Sequence, residues 1–315
     1  MAPADAGGGI VNGRRNVSVK KHGIPFELYD AFAARRFAGN VAGVVISEAA
    51  IAPSLMQDIA SELGAPTTGF AQAGAGRPVS IRFFTPRQEI EACGHVTVAV
   101  ATALVKRGTW PASCGQVQAS TPVGPLSIFL RSAASLSRPQ RPTLIGLAYH
   151  PRPLELGRVT REDVETALAV PADSGLPTEV IWTGLRHLIV PVDGKKALAR
   201  IEPSAAALTS LATSCGADTI CVFARLGDHG VGMRDFCAPI GALEEPASGT
   251  TSAALADYLA RHMALSETAR VIIEQGAEMG RPSRIEVHVE TMHDRRRATV
   301  WGSAIQTAIG TVFPT

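Results

Sequence analysis

The chain contains no apolar run that approaches the roughly 18–20 residues needed to cross a bilayer. Its five cysteines include no C-x-x-C pair, so the spacing typical of a metal clip or a redox motif is missing. The formal net charge of +2 over 315 residues is close to balance, which gives little attraction to nucleic acid or to an acidic membrane surface. We therefore expect a cytoplasmic protein with reduced thiols, whose partners include neither nucleic acid nor membrane.

Several catalytic motifs are also missing from the sequence. There is no G-x-S-x-G elbow, and the eight histidines show no H-E-x-x-H or comparable ligand spacing. The glycine-rich pieces at residues 7–9 and 74–76 lack the strand and helix that frame a phosphate-binding loop. The sequence therefore predicts no metal centre and no nucleotide-phosphate site.

The most informative stretch is a corner formed by Cys93, Gly94 and His95. It follows a short apolar strand and a turn, and it precedes a small apolar helix predicted over residues 96–106. A helix start carries about half a positive charge and free N–H donors. Such a corner can hold a carboxylate and can lower the pKa of a neighbouring thiol. The corner therefore predicts an active site for proton transfer at a carbon beside the carboxyl group of a substrate.

The same order of residues returns about half a chain later. Within residues 239–263, a proline and an acidic pair are followed by Ser248, Gly249, Thr250 and Thr251, and then by a helix of Ala and Leu. A repeat at half the chain length predicts two similar halves, because solenoid repeats are shorter. If the halves face each other, two helix N-termini grip one small acid from both sides.

The chain length predicts two domains. We expect residues 1–21 to be a disordered extension, residues 22–140 an N-terminal domain and residues 141–315 a C-terminal domain, with an exposed loop at residues 132–142. Short predicted strands outnumber helices in each half, and each half has one prominent apolar helix. The prediction is an α+β fold of two similar domains, each a curled, mostly antiparallel sheet around a central helix.

Two further element predictions bear on the C-terminal half. Residues 203–214 have the composition of a helix, and residues 298–309 have that of one continuous strand.

Six short motifs occur in order along the chain: Phe37-Ala-Gly-Asn40, Arg82-Phe-Phe-Thr-Pro86, Cys93-Gly-His95, Thr183-Gly184 with His187-Leu188, Glu244-Glu245-Pro246 with Ser248-Gly249, and Glu274-Gln-Gly276 with Met279-Gly-Arg-Pro282. Together they resemble the PhzF-like isomerases of phenazine biosynthesis, within the diaminopimelate epimerase fold, over roughly residues 24–310. The resemblance implies two similar domains with the active site between them, a homodimer, and no metal or organic cofactor. It also implies proton movement on a small-molecule carboxylic acid.

Two positions depart from the family pattern. Thr67 stands where the resemblance places a catalytic glutamate, and threonine is not an ordinary base at neutral pH. Glu245 stands where the family usually has aspartate, which keeps the carboxylate and lengthens its reach. The identity of the group that takes the proton therefore stays open.

Three side chains are the predicted catalytic residues. Cys93 takes the proton if the helix start and His95 favour its thiolate. His95 is then a substrate-contacting acid or hydrogen-bond donor, and Glu245 is the carboxylate that matches the family acid. Each has a structural alternative: Cys93 is then a small buried side chain, His95 a polar helix cap, and Glu245 part of a solvated turn.

The predicted substrate-binding residues surround the two corners: Thr67, Gly94, Ser248, Gly249, Thr250 and Thr251. Glycine permits close approach of the backbone to an anion, and the hydroxyl groups add donors at the second helix start. Ser248 takes the place of the second thiol of thiol-pair epimerases, which speaks against two-thiol racemisation.

The sequence and the resemblance together predict a cofactor-independent isomerase that moves a proton or double bond on a small unsaturated or amino carboxylic acid. Its expected setting is secondary (antibiotic) metabolism, and an alkylproline-type precursor is one specific candidate. The alternatives are a racemase, epimerase or dehydratase that uses Cys93, and a non-catalytic protein that binds small acids. An isomerase should introduce solvent deuterium into a bound acid, whereas a binding protein should not.

Overall fold

The computed structural model describes residues 23–74, 78–132 and 143–314, apart from residues 156, 158, 174, 203, 227–229, 264 and 294. The predicted extension at residues 1–21 and nearly all of the predicted loop at residues 132–142 lie outside the described residues.

Within the described residues, six helices are α1 (Pro53–Leu63), α2 (Gly94–Lys106), α3 (Arg161–Leu168), α4 (Gly194–Arg200), α5 (Ala205–Cys215) and α6 (Gly249–His262). The strands of the first half are β1 (Ile24–Ala31), β2 (Asn40–Ser47), β3 (Thr67–Gln72), β4 (Val79–Phe84), β5 (Glu89–Ile90), β6 (Gln116–Thr121), β7 (Gly124–Arg131) and β8 (Leu144–Tyr149). The remaining strands are β9 (Arg152–Leu154), β10 (Glu179–Trp182), β11 (Arg186–Pro191), β12 (Thr219–Arg225), β13 (Gly230–Phe236), β14 (Glu244–Glu245), β15 (Thr268–Gln275), β16 (Ser283–Met292), β17 (Arg295–Gly302) and β18 (Ala304–Val312).

The strand pairing shows the internal repeat directly. From β1 to β8, the pairs β1–β2, β2–β3, β3–β4, β4–β6, β6–β7 and β7–β8 run antiparallel, parallel, antiparallel, parallel, antiparallel and antiparallel. From β10 to β17, the pairs β10–β11, β11–β12, β12–β13, β13–β15, β15–β16 and β16–β17 follow the same order of directions. The predicted repeat at half the chain length is confirmed, and so is the α+β class with a mostly antiparallel sheet.

The two halves exchange strands at their edges. Strand β8 pairs with both β7 and β17, and it therefore joins the two sheets. Strand β9 lies beside β10, and the last strand, β18, lies beside β1 in the sheet of the first half. The division of the chain into two domains near residue 140 stays a prediction. The pairing of β18 with β1 places the last strand in the sheet of the first half.

The predicted continuous strand at residues 298–309 is wrong, because it breaks between Gly302 and Ala304. The Phe32 ring fills the space that a side chain at position 302 would need, and the Phe32 amide donates to the Ser303 carbonyl at 2.8 Å. At this contact the chain passes from β17 in the second sheet to β18 in the first sheet.

The helix predicted at residues 203–214 is confirmed as α5. Helix α4 was not predicted, because it is too short for its periodicity to show in the sequence.

The central helices α2 and α6 are buried over most of their surface, and both contribute to one continuous core. A helix without a polar face is stable only when it is surrounded, which explains its place inside a curled sheet. A smaller core under α1 covers the outer face of the first sheet, and another under α3, α4 and α5 covers that of the second. The starts of α2 and α6 are the places at which the two predicted corners lie.

Candidate functional site

The two helix starts converge on one hydroxyl group. Helix α2 begins at Gly94 after Cys93, and α6 begins at Gly249 after Ser248. A Cβ added at Gly94 would lie 3.0 Å from the Tyr149 hydroxyl oxygen, and one added at Gly249 would lie 3.7 Å from the same atom. The backbone donors of both starts are therefore close enough to act on one small anion.

Asn40, which the sequence analysis did not place in the site, connects the two corners. It begins β2 and is 1% exposed. Its Nδ2 atom donates to Glu245 Oε2 at 2.5 Å and to the Ala247 carbonyl at 3.0 Å, and it lies 3.3 Å from His95 Nδ1. An amide nitrogen has two hydrogens, so the longer contact to His95 is the weakest. The motif at residues 37–40 was the available signal for this residue.

The loop before Asn40 is fixed by a second motif from far along the chain. Arg281 donates to Asp30 Oδ1 at 2.6 Å and to the Gly39 carbonyl at 2.8 Å. Asp30 Oδ2 in turn accepts from the Phe37 amide at 2.6 Å. Phe37 has a φ of 63°, a left-handed conformation that is uncommon outside glycine. These contacts explain how residues 37–40 and 279–282 act together to position Asn40.

Glu245 is the ionisable group best suited to proton transfer at neutral pH. Burial raises its pKa to about 7, against the hydrogen bond from Asn40, and the nearby charge of Asp235 raises it further. A carboxyl group with a pKa near the working pH can accept a proton and give it back. The surroundings of Glu245 are therefore those that proton transfer needs, and its catalytic role stays a prediction.

Cys93 and His95 have environments that oppose the expected thiolate. The Cys93 Sγ atom lies 3.4 Å from His95 Nδ1. Burial raises the pKa of the thiol to about 12, although hydrogen bonds from Val96 and Thr67 act in the other direction. Burial also lowers the pKa of His95 to about 4. At neutral pH the corner therefore holds a protonated thiol and a neutral imidazole.

Thr67 lies at the start of β3, beside the first corner. It is buried, and its hydroxyl group is close enough to the Cys93 thiol to moderate the rise in the thiol pKa. The position at which the family resemblance places a glutamate therefore faces the first corner. The carboxyl group of this site comes instead from Glu245 on the second half.

The hydroxyl groups of the second corner divide into two sets. Ser248 and Thr250 are partly exposed, and their oxygens lie 3.3 Å apart. Thr251 is fully buried, and its Oγ1 atom lies 2.8 Å from Ser248 Oγ and donates to Asp235 Oδ2 at 2.6 Å. Ser248 and Thr250 are thus placed to meet a ligand, whereas Thr251 supports them from behind.

Gln275 and His187 hold the start of α6 in place. Gln275 donates to the Glu245 carbonyl at 2.6 Å and accepts from the Ser248 amide at 3.0 Å. The fully buried His187 lies 2.9 Å from Thr183 Oγ1, which also donates to the Thr250 carbonyl. Burial lowers the pKa of His187 to about 3, so it is a neutral structural group. These contacts explain the motif that contains Thr183 and His187 and the motif that contains Gln275.

Tyr149 is the second residue of the site that sequence reasoning missed. It ends β8, the strand that joins the two sheets. Its hydroxyl group lies against both glycine corners and has no hydrogen-bond partner among the described residues. None of the short motifs includes it, because its place depends on pairing between distant strands.

The described part of the chain has neither a cluster of metal ligands nor a helix that could span a membrane. No three His, Cys, Asp or Glu side chains are grouped there as a metal site requires. No helix in the same residues is both long enough and apolar enough to cross a membrane. The homodimer and the cytoplasmic location stay predictions.

Comparison with known proteins gives a family match over almost the whole described chain. The model of a family described as phenazine biosynthesis-like protein (PhzC-PhzF) matches residues 29–310. An uncharacterized isomerase of Deinococcus radiodurans is 30% identical over 287 residues, which cover 88% of this chain and 90% of that protein. A trans-2,3-dihydro-3-hydroxyanthranilate isomerase of Pseudomonas fluorescens is 29% identical, over 91% of this chain and 98% of that one.

Solved structures show the same fold. A phenazine biosynthesis protein of the PhzF family from Bacillus anthracis matches with a TM-score of 0.84 at 24% identity, over 93% of this chain and 100% of that one. A hydroxyproline epimerase from Agrobacterium vitis, with bound trans-4-OH-L-proline, matches with a TM-score of 0.60 at 13% identity, over 92% of each chain. The epimerase-like fold implied by the sequence motifs is confirmed.

Proposed function

This chain belongs to the phenazine biosynthesis-like (PhzC-PhzF) family, and we propose that it is an isomerase in which Glu245 moves a proton on a small carboxylic acid. The observation that carries the proposal is the place of Glu245. Its carboxyl group has a pKa of about 7, raised first by burial, and it is hydrogen-bonded by the same Asn40 that reaches the first corner.

The helix starts supply the grip on the substrate carboxylate. The helix starts at Gly94 and Gly249 lie beside one hydroxyl group, that of Tyr149, and each start carries about half a positive charge. When a proton leaves a carbon next to the carboxyl group, negative charge spreads onto the carboxylate oxygens. Fixed donors around those oxygens stabilise that charge as it develops.

Glu245 then serves both halves of the proton transfer. Its carboxylate takes a proton from one carbon, so that a C–H bond breaks and an O–H bond forms, and the electron pair moves into the conjugated system. The protonated Glu245 returns the proton to a second carbon, and the double bond ends in a new place. The step uses no external oxidant or reductant, and it leaves the enzyme unchanged.

The thiol alternative has less support from the geometry. Racemisation by two opposed groups needs a base on each side of the reacting carbon. Burial raises the Cys93 pKa to about 12, and the matching place in the second corner holds Ser248, a hydroxyl group. These features favour transfer by the single carboxyl group of Glu245.

For the substrate, we extend the proposal to a cyclic, unsaturated amino carboxylic acid. A relative is named for trans-2,3-dihydro-3-hydroxyanthranilate, and a protein of the same fold holds trans-4-OH-L-proline. Both molecules combine a ring, a nitrogen and a carboxylate, as do the alkylproline-type precursors of some antibiotics. A role in secondary metabolism follows from this substrate class and is part of the proposal.

The direct test is proton exchange with solvent. The protein is incubated in deuterium oxide with trans-2,3-dihydro-3-hydroxyanthranilate and, separately, with trans-4-hydroxy-L-proline, and NMR follows the C–H signals. With trans-2,3-dihydro-3-hydroxyanthranilate we expect deuterium at a ring carbon, at a rate lower by about 10²-fold or more in Glu245→Gln. Trans-4-hydroxy-L-proline has no double bond to shift, so we expect no exchange at its carbons. Glu91→Gln is the matched control, because Glu91 is exposed on the first half.

Two other outcomes would contradict the proposal. Saturable binding of trans-2,3-dihydro-3-hydroxyanthranilate without any exchange would indicate a binding protein. Exchange that survives in Glu245→Gln and disappears in Cys93→Ala would indicate the thiol mechanism.

A further inference from the structure

The two halves of the fold differ at one cross-strand position beside the site. In the first half, Phe83 on β4 lies opposite Ile90 on β5, and both pack on the central core. In the second half, Asp235 on β13 lies opposite Glu245 on β14. We call Asp235 and Glu245 the carboxyl pair. Because the same fold accepts an apolar pair at this position, the carboxyl pair is not required for folding.

The neighbouring position shows that the two places are equivalent. Arg82 donates twice to Glu89, at 2.7 Å each, and its guanidinium lies over the Phe84 ring. Arg234 donates twice to Glu244, at 2.9 and 2.8 Å, and lies in the same way over the Phe236 ring. The ion pair and the stacked ring are kept in both halves. Only the inward-facing pair changes from apolar to acidic.

Asp235 lies deep in the protein. It is 1% exposed, and its Oδ2 atom accepts from Thr251, whose hydroxyl oxygen lies 2.8 Å from Ser248 Oγ. Its Oδ1 atom has no hydrogen-bond partner among the described residues. Burial raises the pKa of Asp235 to about 6, although hydrogen bonds from Thr251, Ser248 and Thr219 act in the other direction. An ionised carboxylate that no cation faces is costly in such a place.

No cation faces the carboxyl pair within the described residues. The titratable groups around it are Cys93 and His95 at α2, His187 on β11, Cys221 on β12 and Cys237 after β13. Burial keeps both histidines neutral and raises the pKa of all three thiols. Arg234 lies on the other face, bound to Glu244. Like charges directly opposite each other on paired strands repel, so both carboxyls cannot be ionised cheaply.

We infer that Asp235 is a positioning residue that holds one proton in common with Glu245, and thereby keeps Glu245 able to give as well as take a proton at neutral pH. The inference rests on the proposed function for the role of Glu245. Thr251 orients Asp235, and the buried side of the second corner excludes the solvent that would otherwise screen the two charges.

The inference is tested on the protein without substrate. Carbon-13 NMR follows the side-chain carboxyl carbons of labelled glutamate and aspartate across pH, and Glu245→Gln assigns the Glu245 signal. We expect a two-step titration of Glu245 in the wild type, because coupled groups lose their protons in two macroscopic steps. In Asp235→Asn we expect a single step, shifted to lower pH by about one unit or more. The control Glu91→Gln should leave the Glu245 curve unchanged.

A single-step Glu245 curve in the wild type, or a midpoint that does not move in Asp235→Asn, would overturn the inference. If Asp235→Asn does not fold, the wild-type curve decides alone. In the exchange assay with trans-2,3-dihydro-3-hydroxyanthranilate, the acidic limb of the pH–rate profile should move to lower pH in Asp235→Asn. The proposed function fails separately, if Glu245→Gln exchanges protons at the wild-type rate whatever the titration shows.

Discussion

The two adjacent glutamates of β14 should respond to the same substitution with opposite changes in stability. Glu245→Gln should stabilise the protein at pH 8, whereas Glu244→Gln should destabilise it. Both changes replace a carboxylate by a neutral group of similar shape. The difference arises because Glu245 faces the site without a cation, and Glu244 is bound by Arg234.

The size of the Glu245 effect follows from its pKa. Burial raises that pKa from 4.5 to about 7, and each unit corresponds to about 1.4 kcal/mol, so the ionised form costs the folded state about 3 kcal/mol. The folded protein binds the proton more tightly than the unfolded chain. Stability is therefore lost as the pH rises from about 4.5 through 7, and the loss is complete at pH 8. Glutamine never ionises, so it avoids this loss.

Glutamine at position 245 also keeps the main contact of the native side chain. Its carbonyl oxygen can accept from Asn40, as Glu245 Oε2 does. At pH 5 the wild-type carboxyl is mostly protonated in the folded state, and the difference between the two proteins should fall below about 1 kcal/mol. The gain should therefore depend on pH.

Glu244→Gln leaves a buried guanidinium without its partner. Both side chains of this ion pair are less than a tenth exposed, at 5% for Arg234 and 8% for Glu244. Removing one partner of such a pair costs about 3 kcal/mol or more. The expected sign at pH 8 is therefore opposite to that of Glu245→Gln.

Urea unfolding of the three proteins at pH 5 and pH 8 measures these differences. The expected order of midpoints at pH 8 is Glu245→Gln, then wild type, then Glu244→Gln. A Glu245→Gln protein that is no more stable than the wild type at pH 8, or that shows the same difference at both pH values, would refute the reasoning. It would mean that the Glu245 carboxylate is well solvated and is not a base with a pKa near 7.

Three further predictions concern the first corner and the hydroxyl group between the helix starts. Cys93→Ser should keep exchange within about tenfold of the wild-type rate, since the thiol is protonated at neutral pH; a loss on the order of 10³-fold would restore the thiol as the base. Tyr149→Phe should raise KM about five- to tenfold with a smaller change in kcat, the effect of one lost hydrogen bond to a ligand; unchanged kinetics would remove this hydroxyl from the site. Gly94→Ala should weaken the binding of anthranilate, measured by calorimetry, because its Cβ would lie 3.0 Å from the Tyr149 oxygen. Gly249→Ala should bind anthranilate normally, because its Cβ would lie 3.6 Å from the nearest side-chain atoms. Equal affinities would contradict the close approach at Gly94.

The parts of the site that the sequence could predict are those built from contiguous residues. Cys93, Gly94 and His95 adjoin one another and the helix that they begin, so their common place needs no knowledge of the fold. The repeat of this pattern around Ser248 and Gly249 also predicted two halves, which the strand pairing confirms. Local order along the chain was sufficient for both.

The residues that the sequence analysis missed depend on pairing between distant strands. Tyr149 reaches the helix starts because β8 lies between β7 of one half and β17 of the other. Asp235 faces Glu245 through the register of β13 and β14, and a shift of one residue would turn it to the opposite face. Periodicity reveals that such strands exist, but it does not reveal their partners.

The pKa of Cys93 shifts in the direction opposite to the one that the helix start alone would give. The effect of a helix start on a charge is typically about 0.3–1 kcal/mol. Burial acts more strongly: the rise of the pKa from 9.0 to about 12 corresponds to about 4 kcal/mol. The depth of a side chain is a property of the packed fold, so the larger of the two effects was invisible in the residue order.

The comparison of the two halves is consistent with the proposed isomerisation and speaks against racemisation. Both halves contribute a helix start, so the grip on a carboxylate is symmetric. The acidic side chains are not symmetric, because the second half has Asp235 and Glu245 where the first has Phe83 and Ile90. A racemase must protonate the opposite face of the carbon that it deprotonates. A single carboxyl group on one side instead returns the proton to the face from which it came, at another carbon of the same conjugated system.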